Sequence, residues 1–372
     1  MITLHINNFH YVRGGSDNVY FNTARMLEQA GHDGVFFAAG HDDNLPDRHA
    51  AYFPPAVDTG RPAVSQLGRF LHNPQARRSL RRLIAEQGPF DLAHLHIYHG
   101  RLTPAILKPL REAGIPIIQS LHEYKLACPV YTMERGGQTC EDCVAGSTLN
   151  ILRHRCKNGS LLHSAAALAE FWSSRLQGDV RHIDRFICVS DFQAEIMRRA
   201  GVPAAKLRRL HNFVDTARIT PVPVEARGRY LLYFGRIETL KGLPTLIEAV
   251  KTTGHHLKIA GTGHWQEEMT QAIRDCPNIE YLGFVHGEAL ENLIGGAGAV
   301  VVPSEWYENC PMSILEAKAA GTPVIGTDIG GIPELIRDGV DGFLFRPGDP
   351  QSLGNALDRL ARSDPAALSK AA

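Results

Sequence analysis

The chain has 372 residues, with 39 basic and 39 acidic side chains and an apolar fraction of 44%. This length suits two domains, each with enough apolar residues for a core of its own. The first residues lack the pattern of a signal peptide, and no segment reaches the length of a membrane-spanning helix. We therefore expect a cytoplasmic protein, and no nucleic-acid partner.

The neutral total hides an uneven distribution of charge. Residues 1–218 carry 26 basic and 20 acidic side chains, whereas residues 219–372 carry 13 and 19. The N-terminal excess includes six arginines with no acidic residue before Glu86: Arg61, Arg69, Arg77, Arg78, Arg81 and Arg82. A basic helix in this region suits an anionic membrane surface or a phosphorylated acceptor, and an ordinary solvated helix face explains it equally well. Peripheral binding at the inner face of the membrane is thus one hypothesis.

Strand-like and helix-like segments alternate along almost the whole chain. The strand-like runs are ITLHI, GVFFA, LAHLH, PIIQS, FICVS, LRRLHN, RYLLYFG, HHLKIAG, IEYLGFV, AVVVPS, TPVIGT and GFLF. This alternation is typical of parallel sheets covered by crossover helices. The proline-containing segment TARITPVPVEARGR predicts a linker. We expect an α/β protein whose two doubly wound domains, residues 1–218 and 219–372, face each other across a cleft.

In the first domain, Gly14 and Gly15 stand between the first strand and an amphipathic helix. Glycines at this position allow backbone amides to approach an anion at the helix N-terminus, although an ordinary tight turn explains the pair as well. A segment at about residues 122–160 does not fit the alternation and reads as an insertion.

The insertion contains four of the seven cysteines with the spacing C-x11-C-x2-C-x12-C: Cys128, Cys140, Cys143 and Cys156. Four thiolates around a C-x2-C pair are compatible with a structural zinc ion, which could order a segment lacking its own core. Free cysteines that pack as small apolar residues are the alternative. Disulfides are not expected in a cytosolic protein.

In the second domain, the strand LLYFG is followed by Arg236 and, five residues later, by Lys241. These two cations next to glycines could clamp a diphosphate. The loop IAGTGHWQ has Gln266 where a dinucleotide fingerprint needs glycine, which disfavours hydride transfer.

The stretch SEWYENCPMSILEAKAAG places Glu308 before a strand-to-helix turn and Glu316 within the helix. Ser313 and Glu316 match a capping box, in which Glu316 only returns to a backbone amide. In a functional interpretation, Glu316 accepts the two hydroxyls of a ribose and Glu308 accepts a sugar hydroxyl. Free amides of the turn would then bind oxygens of the same ligand.

Together these motifs resemble the family-4 retaining glycosyltransferases of the GT-B fold. The resemblance rests on their common order along the chain: Gly14-Gly15, Gly235-Arg236, Lys241-Gly242, HNFVD at residues 211–215, the segment from Glu308 to Glu316, and GGIPELIRDGVDGFLF. It implies a nucleotide diphosphate sugar donor in the C-terminal domain and a carbohydrate or lipid-linked acceptor in the N-terminal domain. Polysaccharide, lipopolysaccharide or glycolipid biosynthesis would be the setting.

The resemblance also implies a role for each matching residue. Arg236 and Lys241 would bind the donor diphosphate and Glu316 the ribose, and Gly15 would approach the phosphate from the other domain. Glu308 and the turn that follows it would bind the transferred sugar, the turn residues being Asn309, Cys310, Pro311 and Met312. His122 matches the active-site histidine of the family. Transfer would retain the anomeric configuration with no metal or other cofactor, and Glu308 would be a sugar ligand rather than a nucleophile.

One departure from the family concerns the C-terminus. Members commonly end in a long helix that crosses back to the N-terminal domain, and this sequence stops after SLGNALDRLARSDPAALSKAA, so the crossover is expected to be short or missing. Two alternatives remain open at this point: a nucleotide-sugar epimerase on the same scaffold, and a non-catalytic nucleotide-sugar-binding protein.

Overall fold

The computed structural model describes residues 1–55, 64–216, 219 and 221–372. The chain divides into two compact units, the first of residues 1–133 and 140–211 and the second of residues 134–139 and 212–372. The predicted domain boundary, between residues 218 and 219, lies a few residues inside the second unit. Arg61, one of the six arginines of the basic segment, lies outside the described residues.

The first unit is built on a six-stranded parallel sheet. Its strands are β1 (Ile2–Ile6), β2 (Asp33–Phe37), β3 (Leu92–Leu95), β4 (Ile117–Leu121), β5 (Arg185–Cys188) and β6 (Leu207–Arg209). They are arranged in the order β2-β1-β3-β4-β5-β6. The helices of this unit are α1 (Gly15–Gln29), α2 (Val64–Leu71), α3 (Pro74–Gln87), α4 (Leu107–Glu112), α5 (Asp142–Ala145), α6 (Asn150–Arg153), α7 (Leu161–Leu176) and α8 (Asp191–Arg199).

The second unit repeats the same architecture. Its strands are β7 (Leu231–Phe234), β8 (Leu257–Ala260), β9 (Ile279–Gly283), β10 (Ala299–Val302), β11 (Val324–Thr327) and β12 (Gly342–Phe345), in the order β9-β8-β7-β10-β11-β12. Its helices are α9 (Leu243–Thr253), α10 (Gln266–Ala272), α11 (Glu288–Gly295), α12 (Met312–Ala319), α13 (Pro350–Arg362) and α14 (Pro365–Ala371). Each of the twelve strand-like runs in the sequence overlaps one of these strands, so the predicted α/β class and the two doubly wound sheets are confirmed.

The sheets are parallel because a crossover after each strand brings the chain back to the end of the sheet where that strand began, so the next strand runs in the same direction. Residues 299–302 of β10 are all buried, which explains why this strand reads as an unbroken apolar run rather than as an alternating one. Local signals set the helix ends: Asn73 caps α3 by accepting from the amides of Gln75 and Ala76, each at 3.1 Å, and Pro74 begins the helix.

The insertion contains little regular structure. It holds α5, α6 and a hairpin of two-residue strands, Glu134–Arg135 with Gln138–Thr139. Four non-glycine residues in or beside these elements have positive φ, namely Tyr131, Met133, Arg155 and Asn158. Such conformations are strained, so surrounding contacts must hold this backbone in place.

At the end of the chain, α13 and α14 both belong to the second unit. Arg227 donates to Ser369 in α14 at 2.9 Å and to the carbonyl oxygen of Gly321 at 2.8 Å. Within the described ranges, none of the helices combines the length and the apolar character needed to cross a membrane.

Candidate functional site

The second sheet reverses its strand order between β7 and β10. β7 pairs with β8 on one side and with β10 on the other, so the loops after β7 and β10 leave the same sheet edge side by side. Open parallel sheets bind their ligands at such switch points. Arg236 and Lys241 follow β7 and Glu308 follows β10, so three of the predicted site residues lie at this switch point.

Lys241 and Glu308 form an ion pair at this switch point. Lys241 Nζ lies 2.5 Å from Glu308 Oε1, and the two side chains are 18% and 12% exposed. The same oxygen accepts hydrogen bonds from Ser304 Oγ and Trp306 Nε1, both at 2.8 Å. Burial by itself raises the pKa of Glu308, but the charge of Lys241 and the three hydrogen bonds outweigh burial and lower the pKa. The carboxylate is therefore ionised at neutral pH.

Trp306 connects the two cations to this carboxylate. Its ring lies 4.9 Å from Lys241 Nζ and 5.7 Å from the guanidinium carbon of Arg236, within the range of cation–π attraction. Arg236 is 57% exposed and also pairs with Glu238 at 2.7 Å. The sequence analysis missed Trp306 and Ser304, although both stand within four residues of Glu308 in the stretch that it singled out.

Two glycines allow the loops of the site to pack tightly. Gly242 has a φ of 73°, and a Cβ there would lie 1.7 Å from the carbonyl oxygen of Pro303. A Cβ on Gly330 would lie 2.6 Å from the carbonyl oxygen of Glu308, which also accepts from the amide of Gly331 at 2.7 Å. The loops after β7 and β11 thus both rest on the loop after β10 and fix its backbone.

The structure overturns the capping-box interpretation of Glu316. Helix α12 begins at Met312, and its N-cap residue Pro311 makes no side-chain capping bond. A capping box would need Ser313 at the N-cap, but Ser313 is the second residue of the helix. The carboxylate of Glu316 makes no hydrogen bond or ion pair with any residue of the described ranges, and burial raises its pKa to about 7. Its side chain is therefore available for a ligand.

The turn between β10 and α12 holds the remaining predicted residues of this unit. It contains Asn309, Cys310 and Pro311, and Met312 is the first residue of α12. Cys310 is buried, its carbonyl oxygen accepts from Asn212 Nδ2 at 3.0 Å, and burial raises the pKa of its thiol to about 11. The thiol is therefore neutral and no nucleophile. Amides in the first turn of a helix have no acceptor within the helix, so this end of α12 suits a hydroxyl or an anion.

In the first unit, the predicted glycine pair lies at the N-terminus of α1, with Gly14 as N-cap and Gly15 as first residue. A Cβ on Gly14 would meet nothing within 4 Å, so packing within the chain does not demand a glycine there. Buried Asp17 fixes the turn by accepting from Asn7 Nδ2 at 2.9 Å and from the amide of Arg13 at 3.1 Å. The turn follows β1, where the strand order of the first sheet reverses.

His122 follows β4 and is coupled to a second histidine. Its Nε2 lies 2.9 Å from Nδ1 of His96, and the two rings are stacked at 5.1 Å with 9° between their planes. Burial lowers the pKa of His122 to about 4 and that of His96 well below its ordinary value. Both rings are neutral at pH 7, so one donates and the other accepts. The sequence analysis missed His96 because the contact joins two different strands.

Four cysteines of the first unit are not disulfide-bonded: Cys128, Cys140, Cys143 and Cys156. Burial, with smaller contributions from the other three cysteines, raises the pKa of Cys143 to about 12. The described residues contain one group of three ligating side chains whose ligand atoms lie within 4.8 Å of one another. That group consists of His5, His94 and His96 and does not include the cysteines.

The five described arginines of the basic segment lie on α2 and α3. Arg81 pairs with Glu112 at 2.6 Å, and Arg82 donates to the carbonyl oxygen of Ala51 at 2.6 Å. Arg69 donates to Gln75 at 2.6 Å. Three arginines of this segment therefore already have partners within the first unit.

Both units match glycosyltransferase families. The family described as "Glycosyltransferase Family 4" matches residues 13–218, and the family described as "Glycosyl transferases group 1" matches residues 228–363. Two doubly wound parallel sheets with ligand-binding features at their switch points define the GT-B class of fold. The chain belongs to glycosyltransferase family 4.

The chain spans only part of the length of most of the curated relatives that it resembles. The chain is 33% identical over 207 residues to the glycogen synthase of Mycobacterium tuberculosis, which covers 52% of the chain and 49% of that protein. It is 35% identical over 146 residues to an uncharacterized glycosyltransferase of Methanocaldococcus jannaschii, with 37% of each protein covered. Identity to the phosphatidyl-myo-inositol mannosyltransferase of Mycobacterium leprae is 25% over 368 residues, covering 95% of the chain and 85% of the relative.

Solved structures share the fold over the whole chain. HepE of Anabaena, solved in complex with UDP and glucose, has a TM-score of 0.68 at 17% identity and covers 100% of this chain and 93% of its own. Sucrose-phosphate synthase of Thermosynechococcus elongatus has a TM-score of 0.71 at 19% identity, with 99% and 92% covered. At these identities the likeness establishes the fold alone.

Proposed function

We propose that the chain is a retaining, metal-independent glycosyltransferase that moves a sugar from a nucleotide diphosphate sugar to an acceptor hydroxyl. The Lys241–Glu308 pair on Trp306, at the switch point of the second sheet, carries this proposal. A diphosphate needs positive charge, and a sugar needs a fixed hydrogen-bond acceptor. This one site supplies both. A nucleotide ligand is supported by the fold neighbours, which include HepE bound to UDP-glucose and starch synthase IV of Arabidopsis thaliana bound to ADP and acarbose.

In the proposed donor site, three sets of protein groups bind different parts of the nucleotide sugar. Lys241 and Arg236 offset the charge of the diphosphate, and they stabilise it further when it departs as the leaving group. Glu316, a half-buried carboxylate without a partner in the described part of the chain, accepts the two hydroxyls of the ribose. The backbone amides of Cys310, Met312 and Ser313 bind oxygens of the same ligand.

Glu308 acts as a sugar ligand in this proposal. Its Oε1 takes all three hydrogen bonds from Lys241, Ser304 and Trp306, and its Oε2 has no bond within the described ranges, which leaves Oε2 for a sugar hydroxyl. Three donors and a lowered pKa make this carboxylate a weak nucleophile. In the transfer step the bond from the anomeric carbon to the diphosphate breaks, the acceptor oxygen bonds to the same face, and a donor phosphate oxygen takes the acceptor proton.

The first unit contributes the acceptor side in this proposal. Gly14 and Gly15 give the donor phosphate access to the amides at the N-terminus of α1, because no side chain blocks the approach. His122, neutral and held by His96, makes a hydrogen bond to the transferred sugar. The acceptor is a carbohydrate or a lipid-linked sugar, in keeping with relatives named for glycogen and for phosphatidyl-myo-inositol.

The proposal includes binding of the basic segment to an anionic membrane surface. Arg78 is exposed, whereas Arg81 is paired with Glu112. Co-sedimentation with vesicles containing an anionic lipid tests it. We expect binding that the Arg78→Glu variant weakens and that neutral vesicles do not support, and equal binding to both kinds of vesicle would contradict it.

We also propose that the four cysteines of the insertion bind a structural zinc ion. The thiols lie near one another, and the strained backbone at Tyr131, Met133 and Arg155 suits a segment that a bound ion holds in place. Thiolate ligands would have to move closer together on binding, since the sulfur atoms do not form a compact ligand group in the described structure.

The donor assignment is tested by a thermal-shift screen over nucleotide diphosphate sugars. A donor present at 100 times its dissociation constant stabilises the protein by about 2.7 kcal/mol. We expect one nucleotide to produce the shift in the wild type and a far smaller shift in Glu316→Ala. No stabilisation by any nucleotide sugar would contradict the proposal.

Transfer itself is tested with His122→Ala. Because His122 is placed beside the transferred sugar and not at the nucleotide, we expect loss of transfer with nucleotide affinity nearly unchanged. Wild-type transfer by this variant would show that the assignment of His122 is wrong. Analysis of the product by NMR distinguishes the alternatives, since an epimerase changes the donor without an acceptor and a binding protein leaves it unchanged.

A further inference from the structure

Three histidines of the first sheet face one another in the core. His5 on β1 is the register partner of His94 on β3, and His96 lies two residues beyond His94, so all three side chains extend from the same face of the sheet. They are 0%, 5% and 1% exposed. Their ligand atoms all lie within 4.8 Å of one another.

This cluster holds ring nitrogens that lack hydrogen bonds. Both ring nitrogens of His5 and Nε2 of His96 are buried, with no hydrogen-bond partner among the described residues. Burying such nitrogens without partners is unfavourable, and native proteins rarely tolerate it. Water-filled surroundings do not explain it here, because Tyr20 and Phe36 pack against the ring of His5.

The opposite ring nitrogens of two of the histidines do have partners. His94 Nε2 lies 2.8 Å from Ser120 Oγ, and His96 Nδ1 lies 2.9 Å from His122 Nε2. Histidines that bind metals usually have this arrangement, with one ring nitrogen toward the metal and the other in a hydrogen bond that fixes the ring.

We propose that His5, His94 and His96 bind a transition-metal ion of the zinc class. Three imidazoles with a fourth position for a small ligand such as water are a known zinc arrangement, with metal–nitrogen distances of about 2.0–2.1 Å. The rings need to approach one another by about an ångström from their present separation to reach that geometry. The metal contributes to the stability of the first unit by binding Nε2 of His96 and one of the two unpartnered nitrogens of His5.

The ion has a consequence for His122, which rests on the proposed function. A metal on Nε2 of His96 leaves the proton of that ring on Nδ1, so His96 donates to Nε2 of His122. The proton of His122 is then on Nδ1. His96 is thus a positioning residue, and the metal fixes which nitrogen of His122 is the donor.

The test uses the full chain loaded with Co²⁺ after chelation. Thiolate ligands add strong near-ultraviolet charge-transfer bands that imidazole ligands do not, so these bands report any binding at the cysteines, and Cys143→Ser removes one of the four thiolates of that proposed site. In this background we expect one equivalent of Co²⁺ with visible bands alone. Adding His5→Phe should abolish that equivalent, whereas adding His10→Phe, at a buried histidine that also contacts Tyr20, should retain it.

Two results would overturn the proposal: no bound Co²⁺ in the Cys143→Ser protein, or an unchanged equivalent after His5→Phe. Folding of each variant is checked by circular dichroism. Should His5→Phe fail to fold, His94→Gln replaces it, with the same expected loss. Nitrogen-15 shifts of His122 with and without Zn²⁺ give a readout that does not depend on turnover, so failure here is separable from failure of the proposed transfer.

Discussion

The two units place different chemistry at the switch points of their two parallel sheets. At the switch point of the second sheet stands a half-buried network of charged groups, in which Lys241 and Glu308 pair on Trp306. The corresponding region of the first sheet holds neutral imidazoles that bond to one another, as His96 does to His122. The switch point of a parallel sheet therefore determines where a ligand site forms, and a few side chains at the strand ends determine what it binds.

The largest effect is expected from breaking the charged network of the second unit. Lys241→Ala leaves Glu308 without its counter-ion in a mostly buried position, and loss of one partner from a buried pair destabilises a protein by about 3 kcal/mol or more. Urea unfolding followed by tryptophan fluorescence measures it. Glu308→Gln combined with Lys241→Ala should recover much of the loss.

Arg236→Ala is the matched control for this prediction. Arg236 is exposed and pairs with Glu238 at the surface, so its removal should change stability by less than about 1 kcal/mol. Equal destabilisation by the two substitutions would mean that the second unit does not depend on a buried pair.

Glycine substitutions compare the two units directly. Gly242→Ala places a methyl group 1.7 Å from a carbonyl oxygen at a φ of 73°, and we expect a loss of about 2 kcal/mol or more from the clash and the backbone strain. Gly14→Ala meets open space and should leave stability within about 0.5 kcal/mol. Donor affinity should nevertheless fall in Gly14→Ala if the phosphate approaches this turn. Similar unfolding midpoints for the two variants would contradict this account.

A smaller effect is expected from pH. The pKa of Glu316 is raised from 4.5 to about 7. Ionising its carboxyl group therefore opposes folding, and the free energy of unfolding declines as pH rises from below 4.5 through 7. Donor binding needs the ionised form. Affinity should therefore fall about tenfold between pH 8 and pH 6 in the wild type, and calorimetry of Glu316→Gln should show a flat profile. A flat wild-type profile would exclude Glu316 from the ribose site.

The sequence predicted the architecture well because buried parallel strands appear as separate apolar runs that need no knowledge of distant contacts. It also predicted that Lys241 and Glu308 belong to one site, through the order of their motifs. The capping-box alternative for Glu316 was wrong, since the helix begins one residue before Ser313 and leaves the carboxylate unused.

Residues whose roles depend on contacts between strands could not be predicted in this way. His5 and His94 are 89 positions apart in the sequence and become neighbours only through the register of β1 and β3. Trp306 is close to Glu308 in the sequence, but its role in the site depends on contacts with two cations of the loop after β7. Both sets of contacts are properties of the folded sheet.

The central claim, that the second unit binds a nucleotide diphosphate sugar through its switch-point residues, is tested most directly by calorimetric titration of the preferred donor. We expect Lys241→Ala and Glu316→Ala each to weaken binding by more than tenfold, about 1.4 kcal/mol, with Lys251→Ala, at a surface lysine on α9, unchanged. Wild-type affinity in both site variants would contradict the account.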